Sequence, residues 1–146
     1  MTKVKIELPE KFIFNTEIPI RISDINYGGH LGNDSVLSIF QEARLKFLKQ
    51  FNYSEIDIEG SGIIMTDVAV QYKSQSYYGD ILLVELTVDD IQKVSCDFYY
   101  RATNKINDKI VAIGKTGIAF FDYTKNKLTS VPDKFIQLID NLKNQQ

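Results

Sequence analysis

The spacing of apolar residues divides the chain into a strand, one long helix and four further strands. Apolar and polar residues alternate from residue 12 to residue 23, which predicts the first strand. Pro19 has no N–H to donate to a sheet, so this strand is expected to lie at an edge or to be irregular. Over residues 36–51 apolar residues recur every three or four positions, which predicts a helix with a wide apolar surface. The further strands are predicted at residues 63–74, 81–88, 94–103 and 110–123.

The order of these elements predicts an α+β fold. The last three strands are joined by short turn-like links, which predicts an antiparallel meander. A short C-terminal helix is predicted after Val131-Pro132-Asp133. We therefore expect one domain over residues 1–146, with an antiparallel sheet of about five strands wrapped around one long central helix. Because one helix cannot cover both faces of such a sheet, a second copy is expected to cover an exposed surface, as homodimer or homotetramer.

Composition excludes several classes of function. The 146 residues are 44% hydrophobic and 25% charged, with a formal net charge of −2. This balance gives no electrostatic reason for binding nucleic acid or an anionic membrane. Residues 1–10 lack the apolar core of a signal peptide or a membrane anchor. A single cysteine, Cys96, suits the reducing cytoplasm and is expected to be a small buried residue.

Candidate chemistry gathers in the loop between the first strand and the helix, residues 24–34. This loop holds the only histidine, His30, and three of the eight glycines. Asn33, Asp34 and Ser35 offer side-chain oxygens for the helix N-cap. A helix start presents backbone N–H groups without internal partners, and its dipole favours negative charge. The loop is therefore predicted to hold a carbonyl or an oxyanion at an active site.

The segment from residue 21 to residue 44 resembles the signature of the hotdog-fold acyl-CoA thioesterases, the group around 4-hydroxybenzoyl-CoA thioesterase. That signature is close to D-x-D-x-x-G-H-x-x-N followed by a helix containing E-A-R, and the matching residues are Asp24, Asn26, Gly29, His30, Asn33 and Glu42-Ala43-Arg44. Tyr72, Tyr78-Gly79-Asp80, Phe121-Asp122-Tyr123 and Val131-Pro132 also match. The resemblance implies a hotdog fold that hydrolyses an acyl-CoA or acyl-carrier-protein thioester, with water attacking a carbonyl held at the helix N-terminus.

The chain departs from this signature at one important position. The second aspartate of the pattern, usually the nucleophile or general base, falls on Asn26, and an amide cannot accept a proton at neutral pH. Plant acyl-ACP thioesterases distribute the chemistry over Asp, Asn and His in this loop, and the same is possible here. The catalytic candidates are Asp24, Asn26, His30, Asn33 and Glu42, and the candidates for substrate binding are Tyr27, Gly28 and Gly29.

Each candidate also has a structural interpretation. Histidine titrates near neutrality, so His30 is the best intrinsic base, or else it caps the loop. Asp24 either acts in catalysis or has a structural role, in which it ties the loop or pairs with Arg44. Arg44 itself either extends to water or forms a buried pairing that orders the loop. Glu42 is a solvated residue of the helix surface unless a dimer cleft recruits it.

Two other functions remain open. The loop also suits a hotdog hydratase or dehydratase acting on enoyl or hydroxyacyl thioesters, although the proline of the D-x-N-P-x-H pattern is missing. Asn26 in place of the carboxylate suits a non-catalytic protein that binds acyl thioesters. No cluster of His, Cys and carboxylate residues has the spacing of a metal site, so neither a metal nor a cofactor is expected.

Overall fold

The computed structural model describes residues 2–145, so both end residues of the predicted domain lie outside it. A short 3₁₀ turn, Ile22–Asp24, follows the first strand. The elements in chain order are β1 (Phe14–Pro19), α1 (Asn33–Lys49), β2 (Gly62–Tyr72), β3 (Ile81–Asp89), β4 (Ser95–Asn104), β5 (Ile110–Asp122), β6 (Lys127–Leu128) and α2 (Asp133–Asn144). Of the helices within residues 2–145, none has the length and apolar character needed to cross a membrane.

The five long strands form one antiparallel sheet in the order β1-β3-β4-β5-β2, and the two-residue β6 pairs with β5. The predicted meander is confirmed, because β3, β4 and β5 are neighbours in the sheet. β1 lies at one edge, as the proline predicted, and β2 lies at the other. A register shift between Met65 and Asp67 interrupts the pairing of β2 with β5.

The core lies between one face of the sheet and the apolar side of α1. Phe40 of α1 stacks on Tyr100 of β4 with ring centroids 4.6 Å apart, and both side chains are fully buried. This close approach requires a glycine on the neighbouring strand, since a β-carbon at Gly114 would overlap the ring of Phe40. The predicted arrangement of a sheet packed against one long helix is therefore confirmed, as is the burial of Cys96.

The predicted boundaries around the candidate loop were wrong by several residues. The first strand ends at Pro19 instead of continuing to residue 23, because the chain turns into the 3₁₀ segment. The helix begins at Asn33 and ends at Lys49, earlier at both ends than the apolar pattern predicted. Its N-cap is Gly32, and no side chain caps it, so the prediction of an Asn, Asp or Ser cap was also wrong.

Arg44 forms a buried pair, as its second interpretation predicted, but the prediction that this pair orders the candidate loop was wrong. Its side chain is 3% exposed, and its Nη2 lies 2.8 Å from Oε2 of Glu55 in the loop after α1. Its Nη1 donates to the Tyr100 hydroxyl at 2.9 Å, and that hydroxyl lies 2.8 Å from Oγ1 of Thr116. The pairing joins α1 to the sheet and to the loop that follows α1, and it does not reach the candidate loop.

Candidate active site

Asp24 ties together the two ends of the candidate loop. Its side chain is buried, and its Oδ2 accepts the backbone N–H of Arg21 at 2.9 Å and lies 3.6 Å from the Arg21 Nε. Its backbone carbonyl accepts the N–H of Gly32, the N-cap of α1, at 2.9 Å. Of the two structural interpretations of Asp24, the contacts match the tied loop and not a pair with Arg44.

Asn26 shapes the glycine turn with its side chain. Its Oδ1 accepts the backbone N–H of Gly28 at 2.9 Å and that of His30 at 3.4 Å. Its backbone carbonyl accepts the N–H of Gly29 at 3.1 Å. Gly29 has φ +84°, a conformation that a glycine adopts without strain. The amide oxygen of Asn26 is therefore occupied by the loop's own backbone.

His30 lies half-buried at the end of this turn. Its Nδ1 is 3.4 Å from the carbonyl oxygen of Leu31. A β-carbon at Gly28 would lie 3.3 Å from Asn26 Oδ1 and 3.4 Å from His30 Nε2, so the glycine lies against both groups. Tyr27 is fully exposed beside it. A side chain at Gly28 would therefore press on the Asn26 side chain and would only touch the imidazole.

The backbone amides of the loop are mostly satisfied internally. The N–H groups of residues 28–32 all donate within the protein, to Asn26, to the Ser76 carbonyl and to the Asp24 carbonyl. At the start of α1, by contrast, no side chain caps the helix. Because the first N–H groups of a helix lack intrahelical acceptors, the donors that can meet a ligand oxygen belong to Asn33 and Asp34.

A groove of about 270 Å³ opens at this helix start. The Tyr72 hydroxyl donates to the Asn33 carbonyl at 3.1 Å and joins the start of α1 to the end of β2. The residues that line the groove are His30, Leu31, Asn33, Val36, Tyr72, Lys73, Ser74, Gln75 and Val111. The groove thus combines an imidazole and a helix N-terminus with apolar side chains from three elements.

Asp24 and Glu42 line a different and smaller cavity of about 80 Å³, together with Arg21, Ser38 and Ile39. Glu42 is partly exposed, and its Oε2 lies 3.6 Å from the Lys46 Nζ one helical turn further on. The five catalytic candidates therefore fall into three places: His30 and Asn33 in the groove, Asp24 and Glu42 at the small cavity, and Asn26 inside the turn.

The sequence did not identify the segment that holds the candidate loop in place. Leu31 donates its N–H to the Ser76 carbonyl at 2.7 Å, so the residue after the histidine is joined to the turn before β3. Part of this turn, Tyr78-Gly79-Asp80, matched the thioesterase pattern. Its contact with the loop joins residues 45 positions apart in sequence and left no local signal.

The sequence profile of the thioesterase-like superfamily matches residues 20–139 of this chain. The chain belongs to this superfamily. The matched range includes the whole candidate loop, α1 and the strands β2 to β6. The predicted resemblance to the hotdog-fold thioesterases is thereby confirmed.

The individual proteins that this chain resembles are distant from it in sequence. The "Putative esterase" of Aquifex aeolicus (strain VF5) is 22% identical over 130 residues, which cover 88% of this chain and 97% of the relative. Among solved structures, a 1,4-dihydroxy-2-naphthoyl-CoA thioesterase from Synechocystis is 18% identical with a TM-score of 0.80, covering 88% of this chain and 96% of that one. The DHNA-CoA thioesterase from Staphylococcus aureus is 20% identical with a TM-score of 0.74, covering 90% and 88%. These likenesses confirm the hotdog fold.

Proposed function

We propose that this superfamily member hydrolyses an acyl-CoA or acyl-carrier-protein thioester to the free acid and the thiol. The observation that carries the proposal is the groove at the start of α1, where His30 and Asn33 face the same space beside an uncapped helix N-terminus. Thioester hydrolysis needs donors for the developing oxyanion and a base for the attacking water, and this groove offers both.

The thioester carbonyl is proposed to lie at the first turn of α1, with its oxygen accepting from the N–H groups of Asn33 and Asp34. Water attacks the carbonyl carbon, the carbon–sulfur bond breaks, and the thiolate leaves and takes up a proton. The helix dipole stabilises the negative charge that develops on the oxygen. Tyr27, Gly28 and Gly29 precede His30 in the loop and are proposed to contact the substrate.

His30 is the proposed base for the attacking water. With the proton on Nδ1, the imidazole donates to the Leu31 carbonyl, and Nε2 keeps its lone pair. Asp24 and Glu42 are the second choice, because they line a separate cavity and Asp24 already accepts the Arg21 N–H. Asn26 is proposed to support the reaction by holding the turn and not by taking a proton.

A second copy of the chain is proposed to cover the free edge of β2. This strand of 11 residues ends the sheet, and Met65, Val68 and Tyr72 on it are between 39% and 51% exposed. Pairing two such edges buries apolar side chains and satisfies backbone groups in a two-fold dimer. Light scattering after gel filtration tests this, and a monomeric wild type at micromolar concentration would contradict it. A Val68→Glu variant should shift a dimer toward monomer.

A panel of thioester substrates tests the proposed reaction. It includes short, long and aromatic acyl-CoAs, since both structural neighbours above are named for a naphthoyl-type CoA or DHNA-CoA. Free thiol is detected as it forms. Thiol release above the uncatalysed rate from at least one substrate supports the proposal, and no release from any substrate contradicts it. Crotonyl-CoA that changes absorbance without releasing thiol would indicate a hydratase instead.

Variants of the candidate bases test the assignment of roles. We expect His30→Ala to lower kcat about 100-fold or more, as loss of a general base does. Asp24→Asn and Glu42→Gln should lower it less, since both lie at the other cavity. If Glu42→Gln lowers kcat as much as His30→Ala does, Glu42 on α1 would be the base instead. Tight acyl-CoA binding without turnover, with turnover gained in Asn26→Asp, would identify a binding protein that has lost its carboxylate.

The proposed compartment is the cytoplasm, where acyl-CoA substrates occur and a free thiol stays reduced. Burial raises the pKa of the Cys96 thiol to about 12, so it stays protonated and unreactive there. Fractionation of cells that produce the chain, followed by detection of thiol release, tests this placement.

A further inference from the structure

The turn over residues 76–80 contacts the chain at Leu31, within the candidate loop, and at Ile20, just before it. Ser76 accepts the Leu31 N–H at 2.7 Å with its carbonyl oxygen. At the other end, the Asp80 carbonyl accepts the Ile20 N–H at 2.8 Å, and the Ile20 carbonyl accepts the Gly79 N–H at 3.2 Å. Every candidate residue from Asp24 to His30 therefore lies on a segment whose two ends are held by this one turn.

A single carboxylate oxygen organises the turn. Oδ2 of Asp80 accepts three donors: the Ser76 hydroxyl at 2.8 Å, the Tyr77 N–H at 2.9 Å and the Asn104 side-chain amide at 2.9 Å. Ser76 is fully buried, and Asn104 at the end of β4 is 2% exposed. Asp80 itself is half-buried, but leaving the buried Ser76 and Asn104 donors unpaired would cost their desolvation energy, so the carboxylate holds these side chains in one geometry.

We propose that Asp80 is a positioning residue for the active-site loop, acting through the Ser76 carbonyl on Leu31 and so on the neighbouring His30. This inference rests on the proposed function for its catalytic consequence, whereas its structural part does not need a substrate. Asn104 anchors the carboxylate to β4, a strand in the middle of the sheet. The rigid sheet thereby sets where the imidazole stands relative to the start of α1.

The chain offers a matched control for removing a turn carboxylate. Oδ1 of Asp122 accepts the backbone N–H groups of Thr124 and Lys125, each at 2.9 Å, at the turn between β5 and β6. Along the β2–β5 pair, Gly62 opposite Phe121 lies ten residues from the Tyr72 end near the groove, or roughly 33 Å. Asp122→Ala thus removes the same chemistry far from the candidate loop.

Because His30 is the only histidine, its imidazole gives a single, readily assigned NMR signal, which tests the proposal without any substrate. In Asp80→Ala we expect the imidazole Cε1–H signal to move and the Leu31 amide to exchange with solvent about 10-fold faster or more. Asp80→Asn keeps an oxygen acceptor and should restore much of both properties. Asp122→Ala should leave both as in the wild type.

Turnover gives the second measurement. With a substrate that the wild type hydrolyses, Asp80→Ala should lower kcat roughly 10- to 100-fold with a smaller change in KM, since a displaced base affects the chemical step more than binding. Asp80→Asn should recover most of this loss. If Asp80→Ala does not fold, Ser76→Ala removes one donor and keeps the carbonyl, and it should give a smaller effect in the same direction.

The outcomes separate this proposal from the proposed function. An imidazole signal and a Leu31 exchange rate that are unchanged in the folded Asp80→Ala and Ser76→Ala variants would overturn the positioning role, whatever the activity. Equal changes in Asp122→Ala would overturn it as well, because the effect would then be general destabilisation. Shifted signals in a wild type that hydrolyses no thioester would uphold the positioning of His30 and contradict only the hydrolase.

Discussion

Two polar regions along the same helix differ in the partners of their hydrogen bonds. At the start of α1 the loop's polar groups bond to nearby backbone, and His30 and Asn33 remain open to the groove. Near the middle of α1, Arg44 is buried and bonds to the side chains of Glu55 and Tyr100. Both regions belong to the one stretch that resembles the thioesterase signature. This one stretch therefore contains both the candidate site residues of the loop and an arginine whose contacts are structural.

Charge burial explains the difference. A guanidinium that is 3% exposed is stable only with its partners in place, so the Arg44 region contributes to the fold and has no free group for a ligand. In the loop, His30 is half-buried and Asn33 is exposed, and hydrogen bonds of the backbone supply the order. A residue free to meet a substrate cannot also be fully committed to the core.

Removing the carboxylate of the buried pair should have the largest effect. Glu55→Ala leaves the Arg44 charge buried without its carboxylate, which should lower the free energy of unfolding by about 3–5 kcal/mol. Glu85→Ala is the matched control: Glu85 pairs with Arg101 at 2.9 Å and is exposed to the same degree as Glu55, 24% against 26%.

Arg101, the partner of Glu85, is 35% exposed, so Glu85→Ala should lower the free energy of unfolding by less than about 1 kcal/mol. Urea unfolding followed by circular dichroism measures both variants. Equal losses in Glu55→Ala and Glu85→Ala would remove the contrast between a structural pair and a surface pair.

Removing the Asn26 side chain from the glycine turn should have a local effect on stability. Asn26→Ala removes the acceptor of the Gly28 and His30 amides, and those two amides should exchange with solvent about 10-fold faster. The global free energy of unfolding should change by less than about 1 kcal/mol, because the loop opens without the core. Asn26→Asp keeps the acceptor oxygen and serves as the control. A loss of global stability comparable to that of Glu55→Ala would mean that the loop is part of the core.

The smallest effect concerns alkaline pH and the loop that carries Glu55. Burial, with a hydrogen bond to Glu59, raises the pKa of Tyr53 to about 12. Since the unfolded phenol ionises near pH 10, the stability that neutral Tyr53 contributes is complete below about pH 10 and is lost as the pH rises toward about 12. Tyr53→Phe should therefore lose less stability than the wild type between about pH 9 and about pH 11. Urea unfolding at both pH values measures this difference, and equal losses of stability in Tyr53→Phe and in the wild type would contradict it.

The fold could be predicted almost completely from local patterns. Alternation and helical spacing indicated every long strand and α1, because a half-buried strand and a packed helix each need their own period of apolar residues. The errors lie around the candidate loop. There the strand stops at Pro19 and the helix starts at Asn33, because the side-chain oxygens of Asp24 and Asn26 accept hydrogen bonds from nearby backbone N–H groups, which the apolar pattern does not indicate.

The candidate site could be predicted only as a set of residue types. The sequence indicated the loop and its histidine, but it put Asp24, Asn26 and Glu42 together with His30 as one constellation. Cavity geometry separates them, because Asp24 and Glu42 line one cavity and His30 and Asn33 line another. Which carboxylate or imidazole meets a substrate depends on the directions of side chains, and these follow from the packing around them.

The α+β fold, the order of its elements and the loop at the start of α1 follow from local patterns, because those properties depend on neighbours in the chain. The partner of Arg44, the separation of the carboxylates from His30 and the donors that Asp80 accepts follow from tertiary contacts. Each of these contacts joins residues that lie close only after the sheet has formed, such as Asn104 and Asp80. Local spacing carries no record of such contacts.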